Sequence, residues 1–402
     1  MEKHVQWKCP ALKVLGSGSP WFSLDANAGD PVSEDESDAT APVAIPIAAS
    51  SSTEATDPET PQFVALPELP LKTRHLKIRG LGNVSSQSIS ELLHRLEGIW
   101  SVWAPKISDE LIVSEIPAVE GITAPNRIKH LIQNESIIQH LKRAGMWDHT
   151  SLYIEWGGGN AKLSQEVQHS LHSDHIIIDR KTPKVKGDVK RDRQLGWKRI
   201  TIDIKDIQLD GIPEVAAISH SHSSPSKHTS ICSFSKHLCG AATDLTVRCL
   251  EHYHSHAKDS LLIALCCHHR CTWRSYIGRT FFEDSLGLSR QDFELMTRLS
   301  SWATSGTASS SNTDAVETTS AGSDDENDTN EHENTYLVDV GANMNPDEKT
   351  RWGWRCKRIL DVGRIEYLRK LGYQPELKYY VPQSVSLENI LLVCHKAHED
   401  VQ

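Results

Sequence analysis

Two periodicities divide the chain. Between about residues 85 and 150, apolar positions recur at intervals of three and four, as in Ile89, Leu92, Leu93, Leu96 and Trp100 and again in Ile128, Leu131, Ile132, Ile138 and Leu141. That spacing predicts amphipathic helices. From 151 the pattern changes to short apolar runs separated by helical stretches. The runs are SLYIEW (151–156), HIIID (175–179), KRITIDI (198–204), VAAIS (215–219), LLIALCC (261–267), LKYYV (377–381) and NILLVCH (389–395). Strand-sized runs alternating with helices imply a parallel α/β sheet covered by helices on both faces. Seven runs predict seven strands, with VAAIS as the fourth.

Two stretches lack either pattern. Residues 14–71 hold ten Asp or Glu and no Lys or Arg, and residues 303–334 hold eight and none. Rich in Ser, Thr and Ala, they are expected to be disordered: a linker over 14–71 and a solvated acidic loop over 303–335 within the folded part. They also reinterpret the net charge. The chain carries −10, but without these two stretches 43 basic face 35 acidic residues. A basic body suits an RNA partner, although many basic bodies have none. No apolar run approaches the roughly 18 residues that span a bilayer, and the first residues, MEKHVQWKCPALKV, lack the apolar stretch of a signal peptide. Nine cysteines, an odd number, then read as reduced thiols in cytosol or nucleus. No protein partner is legible.

Four places carry candidate chemistry. In YIEWGGGNAKLS (153–164), a strand runs into Glu155, then Gly157, Gly158 and Gly159, with a helix expected near Lys162. Glycines there let the backbone turn sharply and let a ligand approach the helix N-terminus; a plain turn explains the same residues about as well. Lys162 stands where a dinucleotide fingerprint wants a third glycine, which disfavours a dinucleotide. Asp179, ending the second strand, has the placement of an acceptor for ribose hydroxyls or of a turn or cap residue. Asp203, ending the third strand region, is a candidate neighbour of an adenine, and equally a surface Asp. In SKHLCGAATDLTVRCLEHY (235–253), Lys236, His237 and Cys239 fall where the fourth strand should end, the place where open α/β sheets bind ligands.

Cys266, Cys267, His268, His269 and Cys271 have the residue types of zinc ligands but not the usual paired spacing. Adjacent residues ending a strand point to opposite faces, so they are expected to line a site, and no metal ligand set is assigned to them. Two basic segments, 182–199 and 349–370, are further candidates for phosphate contacts. In the second, Arg351, Arg355, Lys357, Arg358, Arg364 and Arg369 accompany Trp352, a pattern equally expected of a solvated helix face with core tryptophans.

EWGGGNAKLS, DRKTPKVKGD (179–188), SKHLCGAATDLTVRCL, CCHHRCTWRSYIG (266–278), SSWAT (300–304), LDVGRIEYLRKLGY (360–373) and VSLENILL (385–392), in this order, resemble the Trm13-type tRNA ribose 2′-O-methyltransferases, which modify position four of the acceptor stem. The resemblance covers roughly 80–402. It implies a seven-stranded Rossmann-like methyltransferase sheet over 151–398, preceded by a helical extension over 80–150. It also implies S-adenosylmethionine as methyl donor and glycine, proline and histidine tRNAs as partners. Carried over by motif, Glu155, Gly157 and Gly159 hold the methionine end of the donor and Asp179 its ribose. Lys236, His237 and Asp244 are then the catalytic candidates, and Cys239, His268, His269 and Arg270 surround the target ribose.

Three departures stand out. Ala161 replaces a glycine usual in the family. Sixteen residues, 220–235, separate AIS from KHLCG and read as an insert, consistent with a gene-model error. The zinc fingers of full-length family members are reduced, within 1–13, to His4 and Cys9, too few ligands to hold zinc, as if the chain were N-terminally truncated. Lys236 is expected to act as base or hydroxyl-orienting group, with His237 next in line, while a contact to phosphate or to a structural carboxylate competes equally. A catalytically silent RNA-binding relative, or the same fold methylating another RNA or a protein, is the rival reading of the chain.

Overall fold

A computed structural model describes residues 26–29, 76–77, 83–84, 86–108, 125–182, 190, 194–219, 227–253, 259–305 and 344–396. In chain order its main elements are α1 (Ser86–Trp103), β1 (Ile107–Ser108), α2 (Pro125–Arg143), β2 (Ser151–Trp156), α3 (Lys162–Leu171), β3 (His175–Asp179), β4 (Lys198–Thr201) and α4 (Pro213–Ser219). There follow β5 (Ser230–Cys239), α5 (Ala241–His252), β6 (Ser260–Cys266), α6 (Arg290–Leu299), α7 (Trp302–Ser305), α8 (Pro346–Lys370), β7 (Tyr373–Tyr379) and β8 (Ile390–Lys396). The strands form one sheet in the order β1-β7-β8-β6-β5-β2-β3-β4. From β6 to β4 neighbours are parallel, and β8 runs antiparallel between β6 and β7.

The open α/β sheet with helices on both faces is the architecture the periodicity predicts. Side-chain alternation along β2 assigns the two cores. Leu152, Ile154 and Trp156 pack with Val215 and Ile218 of α4, Val247 and Leu250 of α5, and Ile365 and Leu368 of α8. Tyr153 packs on the opposite face with Ile137 and Leu141 of α2 and Leu163 and Val167 of α3. A third core joins α1 to Trp273, Phe282, Phe293 and the first half of α8. The 80–150 extension is therefore built into the domain: α2 covers a sheet face, and β1 pairs with β7.

Two expectations about strands are corrected. Among the described residues the main sheet has eight strands, the extra one being β1, whose two residues are too few to show a period. The fourth inner strand is β5, and VAAIS lies in helix α4. Pro213 opens that helix at its first position, where its missing N–H costs nothing, and Val215 and Ile218 face the core at helical spacing. Residues 230–235, expected within an insert, are all buried and pair with β2 on one side and β6 on the other. Their serines hid the strand. Ser230 Oγ meets Ser151 Oγ at 2.9 Å, and Ser235 Oγ donates to the Trp156 carbonyl at 2.6 Å, so polar side chains are satisfied inside the sheet. Residues 220–226 lie outside the described residues, as do 1–13 and 306–343.

Most of 14–71 is also outside them, but 26–29 departs from the linker expectation. Asn27 is buried, and its Nδ2 donates to the carbonyls of Ile204 at 2.8 Å and Ile207 at 2.7 Å.

One buried ionic network ties the helical layer to the strand ends. Arg364 of α8 forks onto Asp244 of α5 at 3.0 and 2.7 Å and donates to Asp361 at 3.0 Å. Asp361 also meets His268 Nε2 at 2.8 Å and Arg358 at 2.8 Å. All five residues are almost fully buried. Removing one member strands opposite charge in the core, at a cost of about 3–5 kcal/mol. Arg364→Met should therefore lower unfolding free energy by that amount in urea titrations. Deleting 220–235 should abolish the cooperative transition altogether, because β5 leaves with it.

Candidate active site

The strand order reverses between β2 and β5, since the chain goes outward through β3 and β4 and returns to the other side of β2. The crevice beyond the carboxyl ends of these two strands is where such sheets bind ligands. On the β2 side it is lined by the glycine turn. Gly157 and Gly159 take left-handed φ values of 62° and 49°. A Cβ on Gly158 would lie 2.7 Å from Ile177 Cγ2 and 3.2 Å from the Glu155 carboxyl carbon, so no side chain fits. The space a Cβ on Gly159 would enter has no other atom within 4 Å. Ala161 adopts the same left-handed geometry, φ 53°, and is fully buried.

The acidic residues of this half behave differently from one another. Glu155 is buried and accepts the Ser164 N–H at 3.2 Å, capping the first turn of α3, where Ala161 offers no side-chain acceptor. Burial raises its pKa to about 7. Asp179, half-buried, holds the turn from outside by accepting from the Gly159 N–H at 2.8 Å and the Lys181 N–H at 2.7 Å. Arg199, flagged only as part of the basic segment 182–199, donates to the Gly159 carbonyl at 3.0 Å. Asp203 takes the plainer of its two roles, capping the short helix 204–206 through the Lys205 N–H at 3.1 Å.

The β5 side presents the basic groups. The β5–β6 register shifts between Ser235 and Leu238, and this bulge releases Lys236 and His237 from regular pairing. Lys236 Nζ donates to Asn134 Oδ1 at 2.8 Å and to the His130 carbonyl at 3.2 Å, and lies 3.1 Å from His130 Nδ1. Burial lowers its pKa to about 8, against the pull of Glu166 and Glu155. Its hydrogen-bond partners among the described residues are neutral groups, and no carboxylate is among them. His130 and Asn134, four residues apart on one face of α2, were missed because nothing in that helix marks them until the fold brings it over β5. His237 is exposed at the rim, its ring 6.2 Å from that of His130 and nearly perpendicular to it.

Not all the candidates reach this crevice. Asp244 and His268 are fully buried in the ionic network, where their partners are Arg364 and Asp361. Both carry their side chains into the core, where they take part in the ionic network and do not line the crevice. His269 and Arg270 are exposed beside them. The α8 basic patch is likewise dismantled. Lys357, Arg358 and Arg364 are buried, Lys357 against Glu388 at 2.7 Å, and Arg355 pairs with Glu97. Arg351 and Arg369 remain exposed, while Trp352 is in the core. In the 182–199 segment, Lys184, Lys186, Arg191 and Arg193 fall outside the described residues.

The cysteines give a different result from the one their spacing suggested. Cys239 Sγ lies 3.6 Å from Cys266 Sγ, and the sulfurs of Cys239, Cys266 and Cys267 all fall within 4.8 Å of one another. Adjacent Cys266 and Cys267 converge because the strand ends at Cys266 and Cys267 turns left-handed, φ 49°.

The chain is similar to known proteins. Human "tRNA:m(4)X modification enzyme TRM13 homolog" is 31% identical over 322 residues, covering 67% of this chain and 65% of that protein. The Schizosaccharomyces pombe "tRNA:m(4)X modification enzyme TRM13" is 33% identical over 283 residues, covering 67% and 68%. The Saccharomyces cerevisiae protein of that name is 28% identical over 329 residues, covering 68% and 64%. The chain thus spans about two thirds of the length of these relatives. Among solved structures the likeness is loose: coclaurine N-methyltransferase bound to N-methylheliamine and SAH aligns at a TM-score of 0.28 and 10% identity, over 76% of this chain and 86% of that one. The family model "Methyltransferase TRM13" matches residues 132–395, which takes in α2 from Ile132, the glycine turn, the β5 bulge and the cysteine turn, and the chain belongs to that family.

Proposed function

We propose that this chain transfers a methyl group from S-adenosylmethionine to a ribose 2′-hydroxyl at position four of the acceptor stem of glycine, proline and histidine tRNAs. The observation that carries the reading is Lys236, a partly desolvated amine released at the bulge near the carboxyl end of β5, across the strand-order reversal from a glycine turn. The name of the relatives, tRNA:m(4)X modification enzyme, supports a tRNA substrate. Among the described residues, no helix is long and apolar enough to cross a membrane.

The residues present fit such a donor. The glycine turn leaves an approach free of Cβ atoms, and Asp179 stands one strand away with a half-buried carboxylate suited to ribose hydroxyls. Gly157 and Gly159 would admit the methionine end, Glu155 would set the turn from beneath, and Asp203, besides capping the helix 204–206, is the candidate neighbour of the adenine. Bound there, S-adenosylmethionine supplies a methyl group on a sulfonium, a strong electrophile. The chain must supply alignment and proton removal, because a ribose hydroxyl is a weak nucleophile. Lys236 as the neutral amine accepts the hydroxyl proton, with His130 and Asn134 fixing the direction of Nζ. His237 at the rim is placed to orient the ribose, and exposed His269 and Arg270 face the incoming RNA.

A base whose pKa is near 8 is increasingly free of its proton as pH rises. The methylation rate on unmodified glycine tRNA should therefore climb from pH 6.5 and level off above about 8. Lys236→Ala should lower kcat by about 10²–10⁴-fold and flatten this profile, while donor affinity stays near that of the unaltered chain. Lys236→Arg keeps charge and reach but cannot act as base, so it should not restore the rate. Unchanged methylation by Lys236→Ala would remove this residue from the mechanism. The rival silent RNA-binding relative predicts no donor binding by the unaltered chain, a result that calorimetric titration with S-adenosylmethionine distinguishes directly.

A further inference from the structure

We propose that Cys239, Cys266 and Cys267 form a three-thiolate site for one soft divalent cation, zinc under ordinary conditions, with its fourth coordination position open toward the crevice. The argument starts with register. After the bulge, β5 and β6 resume pairing with Cys239 directly opposite Cys266, which sets two sulfurs side by side at 3.6 Å. Tetrahedral zinc with bonds near 2.3 Å requires sulfur–sulfur edges of about 3.8 Å. The third sulfur is brought in by backbone strain. Cys267 is one of only three non-glycine residues with positive φ among the described residues, a conformation that L side chains rarely adopt. In regular strand geometry its side chain would point away from Cys266. The turn sends it the same way, into a group spanning no more than 4.8 Å.

The surroundings hold this turn in place. The Cys267 N–H donates to Glu388 Oε1 at 3.2 Å, and that carboxylate is fixed by buried Lys357 at 2.7 Å. Such outer contacts orient ligands before a metal arrives. Cys266 is buried while Cys239 and Cys267 are half-buried, so an ion can enter and a fourth ligand can reach it. His268 does not compete, being held by Asp361, and Cys271 Sγ accepts from Arg364. Three protein ligands with an open position are the arrangement of reactive zinc sites, as opposed to closed structural ones. This site is separate from His4 and Cys9, where the resemblance puts the zinc of longer relatives.

The test uses the full chain, purified reduced and without chelator, with metal content measured by inductively coupled plasma mass spectrometry. About one equivalent of zinc is expected, retained in Cys9→Ala and lost in both Cys239→Ser and Cys267→Ser. Titrating the metal-free chain with cobalt should give thiolate-to-cobalt charge transfer and intense tetrahedral visible bands, weakened at least tenfold in affinity by either serine substitution. Far-UV circular dichroism checks that the variants are folded, and half-buried Cys267 provides the second variant if Cys239→Ser is not. A reduced, folded chain without metal or cobalt bands would overturn the proposal. So would zinc retained by both serine variants, zinc lost only in Cys9→Ala, or a Cys239–Cys266 disulfide persisting in reductant.

Discussion

Strand β5 must pair on both sides at once, with β2 and with β6, and the chemistry of this protein depends on where that double pairing is interrupted. For its first six residues β5 is buried, and its serines find partners within the sheet. At Ser235 the ladder with β6 slips, and only then are Lys236 and His237 free to leave the sheet. Pairing resumes at Leu238 and Cys239. A bulge thus sends two side chains that lie three residues apart in sequence to different places: Lys236 is delivered toward α2, and Cys239 is returned to face Cys266. Without the slip, strict alternation would place these side chains by the pleat alone.

The ionic network is the second constraint, and its position matters more than its strength. Burying Asp244, Arg364, Asp361 and Arg358 together is no cheap way to stabilise a core, since hydrophobic residues of similar volume often do as well. What the network does is tie α8 to α5 and, through His268, to the turn that follows β6. Burial opposes charge on Asp361, but His268, Arg358 and Arg364 outweigh it and hold its pKa well below the usual carboxylate range. The turn carrying Cys267, His269 and Arg270 is thereby anchored at its buried residue while its neighbours face outward. A geometry of this kind keeps functional groups on a loop as fixed as if they stood on a strand.

What the sequence disclosed follows the same physics. SLYIEW and HIIID were legible to the residue because strands buried on both faces are uniformly apolar. SICSFS was not, because its serines satisfy each other inside the sheet, and VAAIS was misread because a short apolar run fits a buried strand or a buried helix equally. In the site, the glycine turn and Lys236 were visible as local motifs. Their partners were not: Asn134 and His130 lie more than a hundred residues from Lys236, and no local pattern reports a pairing at that distance. Asp244 and His268 stand in the same motifs, but residue type does not reveal whether a titratable side chain faces a crevice or a buried ionic partner.

Two of the reasons for suspecting a silent relative lose their force on structural grounds. Residues 230–235 form an inner strand that positions Lys236, so they cannot be an insertion that displaces it. Ala161, where the family usually has glycine, takes the left-handed conformation that glycine would adopt, φ 53°. The Cβ pays a strain of about 1–2 kcal/mol and recovers part of it by packing with Ile177 and Trp197. The turn is held in addition by Asp179 and by Arg199 on either side of Gly159. A loop fixed by contacts at its apex and at its base can absorb one strained residue without changing shape, and it is the shape, with its absence of side chains at 157–159, that admits a ligand.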